Sequence, residues 1–365
     1  MVDLLPDFAK KGRGAISNRS GRFEALSHVD VDDGWSFADA DGTDAAKVRT
    51  QVTVEKTKTI IARNASPDIP FDRSVNPYRG CEHGCVYCFA RPTHAYMGLS
   101  PGLDFETRLF SKSNAAELLE QELRKPGYQC KTLQLGANTD PYQPIERDLK
   151  ITRSVLEVLS RFNHPVVITT KSDLVIRDLD ILIPMAKKGL VAAGLSVTTL
   201  DSTLSRLMEP RAPTPQKRLL AIRQLADAGV PVRVMCAPVI PALNDWEMER
   251  ILAAGVENGA GGANYILLRL PLEISDLFSE WLNTHAPMKA EHVLSLIKQS
   301  HKGKVYRSAF GERMSGTGEY ARMLSKRYHL ALKKLGIDAR TAGNYALDCS
   351  RFEPPLARGA QMALF

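Results

Sequence analysis

The chain has 365 residues, 44% apolar and 24% charged, the proportions of a globular protein long enough for one large core or two smaller ones. It contains no run of about 18 apolar residues, which excludes a candidate membrane span, and residues 1–12 read as too short and too charged for a secretory signal. The net charge of +7 is concentrated in residues 301–351, where eleven Lys and Arg face four Asp and Glu, so the remainder is near neutral. That basic segment suits nucleic acid or another polyanion, or is simply a solvated helix face. Of six cysteines, three fall in one short stretch, which points to a reducing cytoplasm rather than a disulfide scaffold.

In chain order, residues 1–50 read as a poorly ordered extension. Lys10, Lys11, Arg13, Arg19 and Arg22 form a basic block, and Asp30, Asp32, Asp33, Asp39, Asp41 and Asp44 an acidic one. Hydrophobic periodicity is too weak for the segment to order itself alone, and the blocks can pair or drape over the body. Gln51 to Ile61 alternates and is β-branched, which predicts a strand or an extended lead-in.

A regular alternation follows. Strands are predicted at Ser74-Val75, Thr132–Leu135, Pro165–Thr169, Leu190–Val197, Pro231–Cys236 and Asn264–Leu270. Helices are predicted after a cap at Asn114, from Thr152 to Phe162, from Leu179 to Lys188, from Pro215 behind a Thr214 cap to Ala228, over Asp245–Glu257, and near 275–283 and 288–300. Strands apolar throughout and separated by helices imply a parallel sheet covered on both faces. About six βα units suit either a doubly wound sheet or an incomplete barrel, with chemistry at the C-terminal strand ends of a barrel.

The first predicted strand leads into Asn76-Pro-Tyr-Arg-Gly-Cys81-Glu-His-Gly-Cys85-Val-Tyr-Cys88-Phe-Ala-Arg91. Asn76, Pro77, Gly80 and Gly84 predict an irregular loop. Thiolates spaced C-x3-C-x2-C can hold a soft metal or an iron–sulfur cluster, and no fourth cysteine lies nearby. A closed zinc site would need His83 or His94 as a further ligand, and a disulfide plus one free thiol is the third reading.

With Tyr87 before the last cysteine, the loop resembles that of the radical S-adenosylmethionine (SAM) superfamily. The resemblance implies a partial (β/α)6 TIM-like barrel over residues 51–300, flanked by the N-terminal extension and a basic, helical C-terminal segment, 301–365. It implies a [4Fe-4S] cluster on Cys81, Cys85 and Cys88 whose open iron chelates SAM. On reduction by a donor such as flavodoxin or ferredoxin, SAM would be cleaved to a 5′-deoxyadenosyl radical that abstracts a hydrogen atom.

The further set Thr139-Asp-Pro-Tyr-Gln-Pro-x-Glu146 and Thr170-Lys-Ser172 is similar to the branch around spore photoproduct lyase, termed DNA repair photolyase-like. That resemblance implies SAM contacts at Lys171 and Ser196, and Tyr87 packed beside the cluster or adenine. Asn138 and Asp140 stand where the superfamily binds the SAM ammonium, although its Gly-Gly-Glu-like turn is absent. Arg211 suits a ribose or carboxylate, or an ion pair with Glu209. Val239 and Ile240 suit adenine or the core. The branch's hydrogen-donating cysteine at the second strand end is replaced by Ala137-Asn138-Thr139, which counts against thymine-dimer repair. Cys236, near a later strand end, is either a hydrogen donor or a buried cysteine. The basic helix predicted over Tyr320–Leu335 would close the barrel's open side or grip a polyanion. The expected substrate is nucleic acid, with a protein or small molecule as the alternative. A zinc-dependent nucleic-acid-binding module is the non-enzymatic reading.

Overall fold

The strands are β1 (Gln51–Val54), β2 (Ile61–Arg63), β3 (Arg73–Val75), β4 (Tyr78–Arg79), β5 (Arg108–Ser111), β6 (Leu133–Leu135), β7 (Val166–Thr170), β8 (Val191–Ser196), β9 (Val232–Val239) and β10 (Gly262–Leu267). The computed structural model describes residues 7–24, 48–338 and 347–355. A seven-stranded sheet runs β10-β9-β8-β7-β6-β3-β2. Its six strands from β3 to β10 are parallel and adjacent in chain order, while β2 lies antiparallel on the edge of β3. Among the described residues β2 and β10 do not pair, so this TIM-like barrel is partial and open.

Helices carry the crossovers: Ala115–Leu123 before β6, Ile151–Arg161 before β7, Leu179–Lys187 before β8, Pro215–Asp227 before β9 and Met248–Glu257 before β10. Each buries an apolar stripe, such as Ile151, Val155, Leu156 and Leu159. Every residue of β8 is buried, as a strand covered on both faces requires. The Thr214 hydroxyl accepts from the Lys217 amide at 3.4 Å and Pro215 opens that helix. Asn114 occupies the cap position predicted for it but does not cap; its Nδ2 donates to the Thr57 carbonyl at 3.1 Å. No helix among the described residues is long and apolar enough to cross a membrane.

Several boundaries differ from the sequence reading. Gln51–Ile61 splits, because β1 pairs with β5 in a separate three-stranded sheet, β1-β5-β4, and only Ile61 onward joins the barrel. β9 runs past Cys236 to Val239, and β10 is displaced toward its N-terminus, with a register irregularity between Tyr265 and Leu267. In the N-terminal extension, Ala15, Ile16 and Ser17 are buried, and the Gly14 and Ala15 amides donate to Glu106 at 3.0 and 2.8 Å. The acidic block Asp30–Asp44 lies outside the described residues.

The basic helix spans Gly318–Lys334 and packs on the helices Met248–Glu257 and Pro287–Ser300 beside β10. Tyr328 donates to the Ala263 carbonyl at 2.8 Å, and Leu324 and Leu332 are buried in the main core. Arg327 pairs with Glu249 at 2.7 Å, so part of its charge is used inside the fold. Residues 339–346 and 356–365 lie outside the described residues.

Candidate active site

Beyond β3 the chain turns back on itself through Gly80 and Gly84, both in the left-handed region at φ 72° and 68°. A side chain at Gly80 would meet the Phe105 carbonyl at 2.8 Å and Leu109 at 2.6 Å, so the loop lies directly on the segment before β5. The Cys81 amide donates to that same Phe105 carbonyl at 2.9 Å, and the Cys88 amide to Cys85 at 3.2 Å. All three cysteines face one cavity. Its wall is built from C-terminal strand ends: Asn138 and Asp140 after β6, Lys171 after β7, Ser196 on β8, Met235, Ala237 and Pro238 on β9, and Leu267 to Arg269 at β10. Tyr87, Phe89 and His83 complete the side formed by the cysteine loop.

Among the described residues, no three His, Cys, Asp or Glu side chains converge on a point as the ligands of a single ion would. Three cysteines facing one cavity are a donor set that fits a [4Fe-4S] cluster at three of its corners. His94 is turned away from the cavity. It is buried, its Nε2 lies 2.9 Å from the Arg108 carbonyl, and its ring meets Phe105 edge-on. Burial pushes all three thiols above the usual range, helped by Asp140 at Cys81 and by Glu209 at Cys85.

The polar groups behind the cysteines are fixed. Asp140 accepts from the Thr170 hydroxyl at 2.6 Å and the Lys171 amide at 2.7 Å, with His83 Nδ1 at 3.3 Å in ion-pair range but poorly aligned for a hydrogen bond. Burial pushes its carboxyl up, but His83, Thr170 and the Lys171 amide outweigh this and hold it at about 2. Glu209 is fully buried and accepts from Tyr87, from Arg218 and from the Thr198 hydroxyl, the last at 2.6 Å. Lys171 Nζ lies 3.8 Å from Glu209 and 5.6 Å from the Tyr87 ring centre. Burial lowers the Lys171 pKa, an effect that a bound carboxylate would oppose.

A model of the radical SAM superfamily matches residues 75–254. An uncharacterised protein of Mycobacterium tuberculosis is 36% identical over 250 residues, which are 68% of this chain and 74% of that protein. The chain belongs to the radical SAM superfamily. A second uncharacterised relative, from Methanocaldococcus jannaschii, is 30% identical over 173 residues, 47% of this chain and 62% of the relative. Among solved structures, a spore photoproduct lyase mutant superposes with a TM-score of 0.55 over 78% of this chain and 79% of its own, at 17% identity. Another spore photoproduct lyase mutant, with AdoMet and dinucleoside spore photoproduct bound, gives 0.55 at 16% identity, with 78% and 79% covered. These likenesses establish a shared fold. The protein is thus a radical SAM superfamily enzyme, a family that implies an iron–sulfur cluster and SAM, and the zinc-module reading is set aside.

In this radical SAM chain the cavity gathers Cys81, Cys85, Cys88, Tyr87, Asn138, Asp140, Lys171 and Ser196. Two candidates are corrected. Arg211 does not line the cavity; it pairs with Glu82 at 2.9 Å, and Glu209 is taken instead by Arg218. Cys236 is fully buried in the main core, because alternation along β9 sends Met235 and Ala237 to the cavity and Cys236 to the opposite face. Its position cannot deliver a hydrogen atom to the cavity. Val239 and Ile240 are likewise core residues, and Met235, Ala237, Pro238 and Leu267 form the apolar wall instead.

The sequence reading also missed what Thr139–Glu146 does. Thr139 donates to the Tyr78 carbonyl at 3.1 Å. Gln143 accepts from the Glu82 amide at 2.8 Å and donates to the Gly80 carbonyl at 3.2 Å. Glu146 accepts from the Tyr78 hydroxyl. The segment is a clamp on the cysteine loop, and a motif without periodicity gives no signal of such partners.

Proposed function

We propose that Cys81, Cys85 and Cys88 hold a [4Fe-4S] cluster and that SAM lies in the cavity above it. Lys171 and Ser196 take the SAM carboxylate, Asn138 and the loop around Asp140 face its ammonium, and Tyr87, held by Glu209, packs beside it. The observation that carries this reading is the convergence of the three cysteines with Lys171 and Ser196 at the C-terminal strand ends. The cluster, when reduced, supplies the electron that cleaves SAM to a hydrogen-abstracting radical. The protein's part is to orient SAM and, through Met235, Ala237, Pro238 and Leu267, to keep water away.

A flavodoxin- or ferredoxin-type donor in a reducing cytoplasm fits this chemistry. The substrate we favour is nucleic acid, supported by the basic 301–351 segment and the lyase-like fold. Pairing of Arg327 with Glu249, which lies outside the segment, neutralises part of its charge and favours the second reading, a protein or small-molecule substrate.

Anaerobically reconstituted protein should bind about four irons per chain and release 5′-deoxyadenosine from SAM on reduction. Retention of both by Cys85→Ala would overturn the assignment. Binding of nucleic acid that weakens with salt supports the first substrate class, because phosphate contacts release counterions; no binding at low salt supports the second.

A further inference from the structure

Lys171 and Arg269 both line the cavity, one after β7 and one after β10. SAM carries a single carboxylate, so the two cations exceed what SAM can satisfy. Lys171 has Glu209 within 3.8 Å. Arg269 pairs with no carboxylate among the described residues. Its NH1 reaches only the Met314 sulfur, at 3.4 Å, and its Nε is sealed from solvent without a partner. Asp68, whose charge it feels, is already engaged by the Gly311 amide at 2.7 Å and by Arg313. Arg269 is half-buried, so its guanidinium keeps room for an incoming anion while its Nε goes without a partner.

Its guanidinium carbon lies over Phe89, 5.1 Å from the ring centre, and Phe89 is 45% exposed although it directly follows the cluster-loop residue Cys88. An exposed aromatic face beside a planar cation is the arrangement that binds unpaired nucleotides, the base stacking and the phosphate pairing.

We propose that Arg269 is a second anion site of this cavity, one that takes a phosphodiester of a single-stranded nucleic-acid substrate while Phe89 stacks on a neighbouring base. This rests on the radical SAM reading and narrows its favoured substrate class to a single strand held at named residues.

The test uses the full chain with its cluster reconstituted and a fluorescein-labelled single-stranded oligonucleotide, read by anisotropy across a salt series. Arg269→Gln should weaken binding about tenfold and lower the salt slope by about one. Arg269→Lys, which keeps the charge without the fork, should fall between, and Phe89→Leu should weaken binding several-fold at every salt concentration. Circular dichroism of each variant checks folding. The proposal is overturned if wild type binds no oligonucleotide at low salt, or if Arg269→Gln binds it as wild type does. It is equally overturned if calorimetry shows that Arg269→Gln loses SAM affinity, which would put the guanidinium on SAM's own carboxylate. Wild-type release of 5′-deoxyadenosine is measured separately, and its absence overturns the radical reading rather than the anion site.

Discussion

Arg91 holds the backbone of Cys85: its Nε donates to the Cys85 carbonyl at 2.9 Å. The same fully buried guanidinium reaches the carbonyls of Gly84, Pro101 and Gly102 at 3.1, 3.0 and 2.9 Å and pairs with Glu106. Glu106 in turn accepts the Gly14 and Ala15 amides. The cysteine loop is thus pinned from behind by one cation, and the N-terminal extension is tied to the same pin.

Arg91→Ala should unfold the region around the loop. It strands a buried carboxylate, a loss of about 3–5 kcal/mol, and frees the carbonyls on either side of Cys85. Chemical denaturation of the cluster-free protein should show the loss, and iron content after reconstitution should fall well below that of wild type. Arg91→Lys should recover part of the stability, since it restores the charge without the fork.

Gly14→Val tests the tie from the other side. A Cβ at Gly14 would lie 1.9 Å from the Gly84 carbonyl oxygen, so the extension must detach or the cysteine loop must shift. A cost of about 1–3 kcal/mol is expected. Faster hydrogen exchange in residues 13–17 and faster labelling of Cys85 by a thiol reagent in the cluster-free protein would confirm it. Unchanged rates at both would show that the strip is only a passive cover.

Cys236→Ala should leave cluster assembly and SAM cleavage intact, because the side chain faces the core and not the cavity. The expected effect is a loss of about 1 kcal/mol in thermal or urea unfolding, from one buried sulfur. Abolished cleavage with normal stability would contradict the placement.

His164 carries a pH dependence remote from the cysteines. Burial lowers its pKa to about 4, against the opposing pull of the Pro165 carbonyl. Its ring lies 2.9 Å from the Tyr128 hydroxyl. Because the folded pKa lies below the unfolded value near 6.5, the unfolded chain binds the extra proton first. Stability is then full above about 6.5 and lost as pH falls toward 4, by about 3 kcal/mol from this group. His164→Gln should flatten the urea-midpoint profile over that window, and an unaltered slope would refute the assignment.

The sequence by itself determined the order of βα units and the cysteine loop after the first of them. Both are local: strands such as Val166–Thr170 and helices such as Pro215–Asp227 follow from apolar period, a Thr cap and a Pro start, and three cysteines within eight residues must share one loop. Residues that directly follow a strand, such as Lys171, and Ser196 at a strand's end, were legible for the same reason. Only the tertiary structure decided which face a strand residue occupies and which partner a charge takes. Cys236 is one residue from the cavity in sequence, yet the two-residue alternation of β9 turns it into the core. Glu209 sits beside Arg211 but pairs with Arg218, and Arg91 meets Gly14 through Glu106, because a buried charge is satisfied by whatever geometry brings near it rather than by its neighbours in the chain.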